Sequence, residues 1–163
     1  NFSHGQIRRM RAEVLLDTLA QVTGTPNKFK GLPIGSRAVN IADGNTSTYF
    51  LTTFGRATRK TVCSCEVKME PNLSQALHLL NGDAVSNRIT QGRVVQKLLQ
   101  EKKTPEEIVK TLYLRTLARE PKTAELSKLN AAIAGAKDAN ETRLILEDIF
   151  WALLNSKEYL FNH

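Results

Sequence analysis

Two cysteines separated by one residue, Cys63 and Cys65, are the sharpest chemical feature of this 163-residue sequence. Thiols at this spacing can chelate a soft metal, close a small disulfide ring or act as a redox pair. A tetrahedral zinc site needs further ligands, and the sequence holds no second cysteine pair. We favour the simplest interpretation, two small side chains of an extended segment that form no bond with each other, and predict neither a metal nor a cofactor.

A second candidate site combines aromatic and basic side chains in a stretch without helical periodicity. Rings and guanidinium groups together can stack on sugars or bases while they pair with anions. They can also anchor a loop, with arginines bound to backbone carbonyls and rings packed into the core, and we favour this role. The predicted ligand-binding residues are Tyr49, Phe54, Arg56, Arg59 and His78.

Motifs of known catalytic machinery are missing from the sequence. No serine lies in a G-x-S-x-G setting, and no glycine-rich phosphate-binding motif occurs. The carboxylate pair Glu106 and Glu107 fits a helix start, and the pair Glu147 and Asp148 is expected to point outward from a helix. We therefore predict that the isolated domain is not an enzyme.

The elements that position these residues are predicted to be mainly helical. An apolar stripe over residues 7–22 predicts a first helix that ends at Gly24. Residues 25–70 form an irregular basic excursion, in which 37–42 favour a short strand and 49–54 a single helical turn. Residues 72–163 form a helical scaffold, with helix start signals at Asn72, Thr90, Thr104 and Asn140 and with Pro121 separating two of the helices. We predict one domain, an irregular helical bundle with one long loop-rich insertion and room for a short strand pair.

The net charge of +7 is concentrated in the first part of the sequence. Residues 1–70 carry ten Lys or Arg against five Asp or Glu, whereas residues 71–163 carry thirteen against eleven. A positive field can attract nucleic acid, anionic polysaccharide or an acidic protein face, although an ordinary solvated surface is the simpler interpretation. Because no apolar run approaches the roughly 20 residues of a membrane span, we expect no transmembrane helix.

The order of several motifs resembles a known family, the planctomycete-type C-terminal domain of unknown function, number 1553. The similarity spans nearly the whole chain. One departure is Arg11, where the family pattern suggests a small capping residue at the start of the first helix. The motifs lie at residues 8–17 (RRMRAEVLLD), 49–56 (YFLTTFGR), 63–66 (CSCE), 72–82 (NLSQALHLLNG), 113–121 (YLRTLAREP) and 151–163 (WALLNSKEYLFNH).

The resemblance implies a setting more than a chemistry. Proteins of this family are typically large and exported, and often carry a c-type cytochrome domain and sometimes a sugar-binding-like module ahead of this one. It therefore implies an extracytoplasmic location, a C-terminal place in a larger protein and an oxidised Cys63–Cys65 pair. We expect a non-catalytic helical module that packs against upstream domains or a protein partner. The alternative is an accessory part of a polysaccharide-active or redox enzyme, with residues 25–70 lining the site.

Overall fold

The computed structural model describes residues 8–42, 46–57, 75 and 83–162, and this part of the chain is mainly α-helical, as predicted. Two short strands, β1 (Arg8–Arg9) and β2 (Phe161–Asn162), pair antiparallel. Within the described ranges, every helix falls short of the length and apolarity that a bilayer crossing requires. The helices are α1 (Ala12–Thr23), α2 (Tyr49–Thr53), α3 (Asp83–Gly92), α4 (Val94–Gln100), α5 (Pro105–Leu117), α6 (Thr123–Ala134), α7 (Ala139–Leu154) and α8 (Lys157–Leu160).

The first helix begins later than the sequence pattern predicts. Arg11 stands before α1 in an extended conformation and makes no side-chain capping bond, so the helix starts at Ala12 and not at residue 7. The backbone just before it pairs with β2, which brings the two ends of the described chain together. At the other end, Gly24 adopts a left-handed conformation with φ of 70°, and stops the helix as predicted.

The scaffold helices follow their capping signals with two exceptions, Thr90 and Asn140. Asn140 lies inside α7, which Asp138 caps by accepting a hydrogen bond from the Glu141 amide. The Thr104 hydroxyl accepts a hydrogen bond from the Glu107 amide while the Glu107 carboxylate accepts from the Thr104 amide, which completes the predicted capping box. Thr90 does not begin a helix, because it lies inside α3 and its hydroxyl donates to the Ser86 carbonyl. The next helix starts after Arg93, which is left-handed with φ of 52°. The predicted start at Asn72 lies outside the described residues.

Apolar side chains from α1, from the scaffold helices and from the excursion form one core. The central element is α7, whose Leu146, Phe150 and Leu154 are fully buried. It packs against α5, which contributes the fully buried Ile108 and Leu112. Burial of this apolar area is the main favourable term in folding. The excursion therefore packs its own apolar side chains, such as Leu51 and Phe54, into the helical core.

The excursion contains a helical turn where the pattern favours a strand. Residues Ala38–Asn40 form one turn of 3-10 helix, so the predicted strand at 37–42 is wrong. The reason is that the Asp17 carboxylate accepts the amide N–H groups of Ala38 and Val39, which a strand would have offered to a neighbouring strand. The helical turn predicted at residues 49–54 is confirmed as α2, capped by the Thr48 side chain.

Candidate functional site

A buried carboxylate on α1 organises the first half of the excursion. Asp17 accepts hydrogen bonds from the Asn27 amide group at 2.9 Å and from the backbone amides of Ala38 at 2.6 Å and Val39 at 3.1 Å. The Nε atom of the exposed Arg37 lies 3.7 Å from it. A carboxylate that accepts several N–H groups stays satisfied away from water. One side chain thus fixes two points of the loop that are about ten residues apart.

A partly buried guanidinium on α3 holds the same loop from the other side. Arg88 donates to the backbone carbonyl and the hydroxyl of Thr25, both at 3.2 Å, and to the Asn27 side-chain oxygen at 2.9 Å. Asn27 therefore bridges Asp17 and Arg88. Burial lowers the pKa of Arg88, and the nearby Tyr159 and Asp17 oppose that shift. The network is a set of structural bonds between α1, the loop and α3.

A second guanidinium, from the predicted site residue Arg56, holds the later part of the excursion. Arg56 is buried, donates to the carbonyls of Ile41, at 3.2 Å, and of Thr46, and lies 3.4 Å from the Glu13 carboxylate. Carbonyls in irregular backbone need such donors because no strand or helix supplies them. Through these contacts Arg56 anchors the loop, which is the role that we favour from the sequence. A role of Arg56 in ligand binding stays a prediction.

The predicted site residue Phe54 lies in the core. Its ring stacks on Phe50, with centroids 4.3 Å apart, and the Arg9 guanidinium lies 5.2 Å from its centroid. Arg9 also donates to the Phe54 carbonyl at 2.9 Å, and burial lowers the pKa of Arg9. Since only 1% of Phe54 is exposed, its ring offers no open face to a sugar.

The outer side of the excursion presents apolar and basic side chains to solvent. Tyr49 is 71% exposed and Ile34 is 72% exposed. Of the seven exposed large hydrophobic side chains in the described residues, four lie in the excursion, which marks it as the richest exposed apolar region of that part of the chain. Residues 25–42 contain three cations and no acid. We name the following set the excursion surface: Lys28, Lys30, Leu32, Ile34, Arg37, Val39 and Tyr49.

A cavity of about 570 Å³ lies away from the excursion surface. It is lined by the end of α1, the end of α5 and α8, and its polar groups join these elements to one another. The Tyr159 hydroxyl bonds to the Thr18 hydroxyl at 3.3 Å, and burial raises the pKa of Tyr159 to about 12. Arg115 donates to the carbonyls of Gln21 and Val22 at the end of α1. The cleft is thus a junction between helices.

Two smaller cavities, of about 250 Å³ and 170 Å³, lie beneath the excursion. Both are partly lined by Asn27, which connects them to the Asp17 and Arg88 network. Among the described residues, no three His, Cys, Asp or Glu side chains are grouped closely enough to hold a metal ion. The predicted residues Arg59, Cys63, Cys65 and His78 lie outside the described part of the chain, so the cysteine chemistry stays a prediction.

Sequence reasoning missed the three polar residues that organise the loop, Asp17, Asn27 and Arg88. None of the three carries a local signal in the sequence. Asp17 has Glu13 and Gln21 one turn away along α1, so the helical pattern predicts an exposed position for it. The roles of Asn27 and Arg88 depend on a contact across 61 residues of chain.

Comparison with known proteins gives a family without an assigned chemistry. A family model described as PSD1, a protein of unknown function (DUF1553), matches residues 1–133. No curated protein and no solved structure matches the chain. The matched span contains the excursion surface and ends within α6, ahead of the central core helix α7.

Proposed function

The chain belongs to the PSD1 family of proteins of unknown function (DUF1553), and from that premise we propose that it is a non-catalytic interaction module. Its excursion surface binds an acidic face of another domain of the same large, exported polypeptide. The exported, extracytoplasmic setting is part of this proposal, and the family resemblance implies it.

The proposal rests on one observation, the excursion surface. Its exposed side chains are apolar and basic, and buried hydrogen bonds hold the backbone beneath them. Ile34 and Tyr49 are among the most exposed hydrophobic side chains of the described residues, and the cations of residues 25–42 have no acid among them. Exposed apolar groups favour contact with another protein, and the positive charge selects an acidic one.

The anchors beneath this surface support binding rather than free loop motion. Asp17 and Arg88 hold the backbone on either side of the exposed Lys28 to Arg37 segment. A loop that is already ordered loses less conformational entropy on binding. The buried polar side chains serve this order, since their hydrogen bonds run to loop backbone and to one another.

Hydrogen exchange can test the proposal on the complete natural polypeptide and on this 163-residue chain. We expect backbone amides of residues 28–40 to exchange at least about tenfold more slowly in the complete polypeptide, because the interface covers them. Ile34→Asp should remove that difference, since it places a charge in an apolar contact. Leu144→Asp, a matched change at an exposed leucine of α7, should leave it intact. Equal exchange in the two proteins, or substrate turnover by the 163-residue chain, would refute the proposal.

The exposure of Tyr49 favours a second candidate, binding of polysaccharide by an accessory part of a carbohydrate-active enzyme. A solvent-facing ring can stack on a sugar face. Tyr49→Ala is the informative variant, because Arg56→Ala would also release the loop carbonyls that Arg56 holds. Glycan-array binding that Tyr49→Ala abolishes would favour this candidate, and the absence of any glycan binding would exclude it.

A further inference from the structure

The smaller cavity beneath the excursion has the composition of a site for an anion. It encloses about 170 Å³ between the loop, the start of α2 and α3. Two of its lining residues are cations and none is an acid. Its walls are otherwise two aromatic rings, a leucine, an amide and a hydroxyl. The lining residues are Leu16, Asn27, Lys28, Phe29, Thr48, Phe50 and Arg88.

The polar groups of this cavity retain donors that the fold does not use. Three hydrogen bonds, to Thr25 and Asn27, account for three of the five N–H groups of Arg88 among the described residues. The Thr48 oxygen accepts from the Leu51 amide, so its O–H group can still donate. Lys28 is exposed and adds a mobile ammonium group at the rim. The donors available around the cavity therefore suit a carboxylate.

The nearest carboxylate of the protein itself does not fill this role. Asp17 already accepts bonds from Asn27 and from two backbone amides of the 3-10 turn. Its charge acts on Arg88 from outside the cavity, and the lining itself contains two cations and no acid. An excess of positive charge in a lining attracts an anion.

We infer that this cavity binds the carboxylate of a glutamate or aspartate side chain on the acidic partner domain. The inference rests on the proposed function and names the group that the excursion surface recognises. A volume of 170 Å³ is below the roughly 300 Å³ at which pockets begin to enclose whole small ligands, so it admits a side chain. Phe29 and Phe50 contact the methylene groups of that side chain, and Arg88, Lys28 and Thr48 bind its oxygens.

Binding of short peptides to the 163-residue chain tests this inference. The probe is acetylated tetraglutamate amide, followed by backbone amide shifts in NMR, with tetraglutamine amide as the neutral counterpart. We expect saturable shifts at Phe29 and Phe50 with tetraglutamate and none with tetraglutamine. Lys28→Glu should weaken binding by about tenfold or more, because it reverses one of the two charges at the cavity.

Two control variants separate this site from the general positive field. Lys128→Glu changes the net charge equally on the exposed face of α6, and Lys137→Glu does so at an exposed position before α7, both outside the lining and outside the excursion surface. We expect each to weaken binding by less than about threefold. Equal losses from all three variants would overturn the inference, as would tetraglutamine binding as tightly as tetraglutamate. Tighter binding of tetragalacturonate than of tetraglutamate would also overturn it, in favour of a polysaccharide.

The two proposals fail in different ways. If amide exchange of residues 28–40 is slower in the complete polypeptide but tetraglutamate does not bind, the inferred carboxylate site is refuted and the proposed interdomain contact is supported. If tetraglutamate binds through Lys28 but amide exchange of residues 28–40 is equally fast in the complete polypeptide, the cavity recognises carboxylates and the proposed interdomain contact is refuted.

Discussion

The excursion and the helical scaffold are ordered by different kinds of contact. In the scaffold, α5 and α7 pack through fully buried side chains such as Ile108, Leu146 and Phe150. In the excursion, a few buried polar groups, chiefly Asp17, Arg56 and Arg88, hold backbone that has no regular pairing partner. The scaffold is stabilised mainly by buried apolar area, whereas the excursion adds individual hydrogen bonds to the apolar side chains, such as Phe50 and Leu51, that it buries in the same core.

This difference corresponds to a division of roles: the scaffold provides stability, and the excursion presents a surface to solvent. Removing a core side chain affects every helix packed on it, whereas removing a polar anchor affects mainly the segment that it holds. Because the polar anchors lie beneath the loop, its outer face can expose side chains to solvent. Ile34 and Tyr49 are the most exposed large hydrophobic side chains of that face. Variants in each region, and at the joint between them, can test this division.

The largest expected effect is in the scaffold, for Phe150→Ala. Phe150 is fully buried in α7, so its removal loses apolar burial and leaves a cavity between helices. We expect the free energy of unfolding to fall by about 3–5 kcal/mol, measured by urea denaturation. Leu144→Ala, on the exposed side of the same helix, should cost less than about 1 kcal/mol. A similar cost for the two variants would mean that α7 is not the central core helix.

The next largest effect is expected at the joint between the two regions, for Gly92→Ala. A Cβ atom at Gly92, in the last turn of α3, would lie 1.7 Å from the Thr23 carbonyl oxygen at the end of α1. The backbones of α1 and α3 must then move apart. We expect the free energy of unfolding, measured by thermal or urea denaturation, to fall by about 3 kcal/mol. At Gly135 the nearest atom would be 3.4 Å away, so Gly135→Ala is a control with a change below about 1 kcal/mol. Unchanged stability of Gly92→Ala would show that this contact is not close.

The helices could be predicted from the sequence because their start and stop signals are local. The capping box at Thr104 and the left-handed Gly24 depend on residues within one helical turn, and both are confirmed. The excursion could not be predicted in the same way. Its 3-10 turn depends on Asp17, which lies 21 residues earlier in the chain, and alternation within residues 37–42 contains no information about that contact.

The candidate site shows the same limit. The mixture of aromatic residues and arginines correctly indicates that residues 49–56 anchor a loop, since Arg56 binds loop carbonyls. The sequence does not show which side chains face solvent, so Phe54 and Tyr49 have the same predicted role although one is buried and the other exposed. Arg88 bonds to Thr25 across 63 residues, and only the fold brings them together.

A smaller effect is expected in the excursion, for Asp17→Asn. The substitution replaces one acceptor oxygen by a donor that faces the Asn27 amide and the Ala38 and Val39 N–H groups. We expect a loss of about 2 kcal/mol in unfolding free energy, and faster exchange of the Ala38 and Val39 amides measured by NMR. Asp148→Asn, at an exposed position of α7, should change neither quantity. Wild-type exchange rates at Ala38 and Val39 in Asp17→Asn would mean that polar anchoring does not order the loop.

The smallest expected effect is that of an exposed charge network in the scaffold, for Glu125→Gln. The Arg119 guanidinium, followed by the Lys122 backbone N–H, lowers the pKa of Glu125 from 4.5 to about 2, and Arg119 also binds Glu158. A lowered folded-state pKa means that the carboxylate stabilises the fold above pH 4.5, and that this contribution is lost as the pH falls towards 2. Because solvent screens the pair, we expect Glu125→Gln to lower the Tm at neutral pH by only about 1–3 °C, and this difference should shrink in acid. Glu101→Gln, in an exposed contact with Lys103, should leave the Tm unchanged. A Tm difference between wild type and Glu125→Gln that persists at pH 2 would show that Glu125 acts through packing and not through its charge. Packing would then also explain the contribution of this charged residue to the stability of the scaffold.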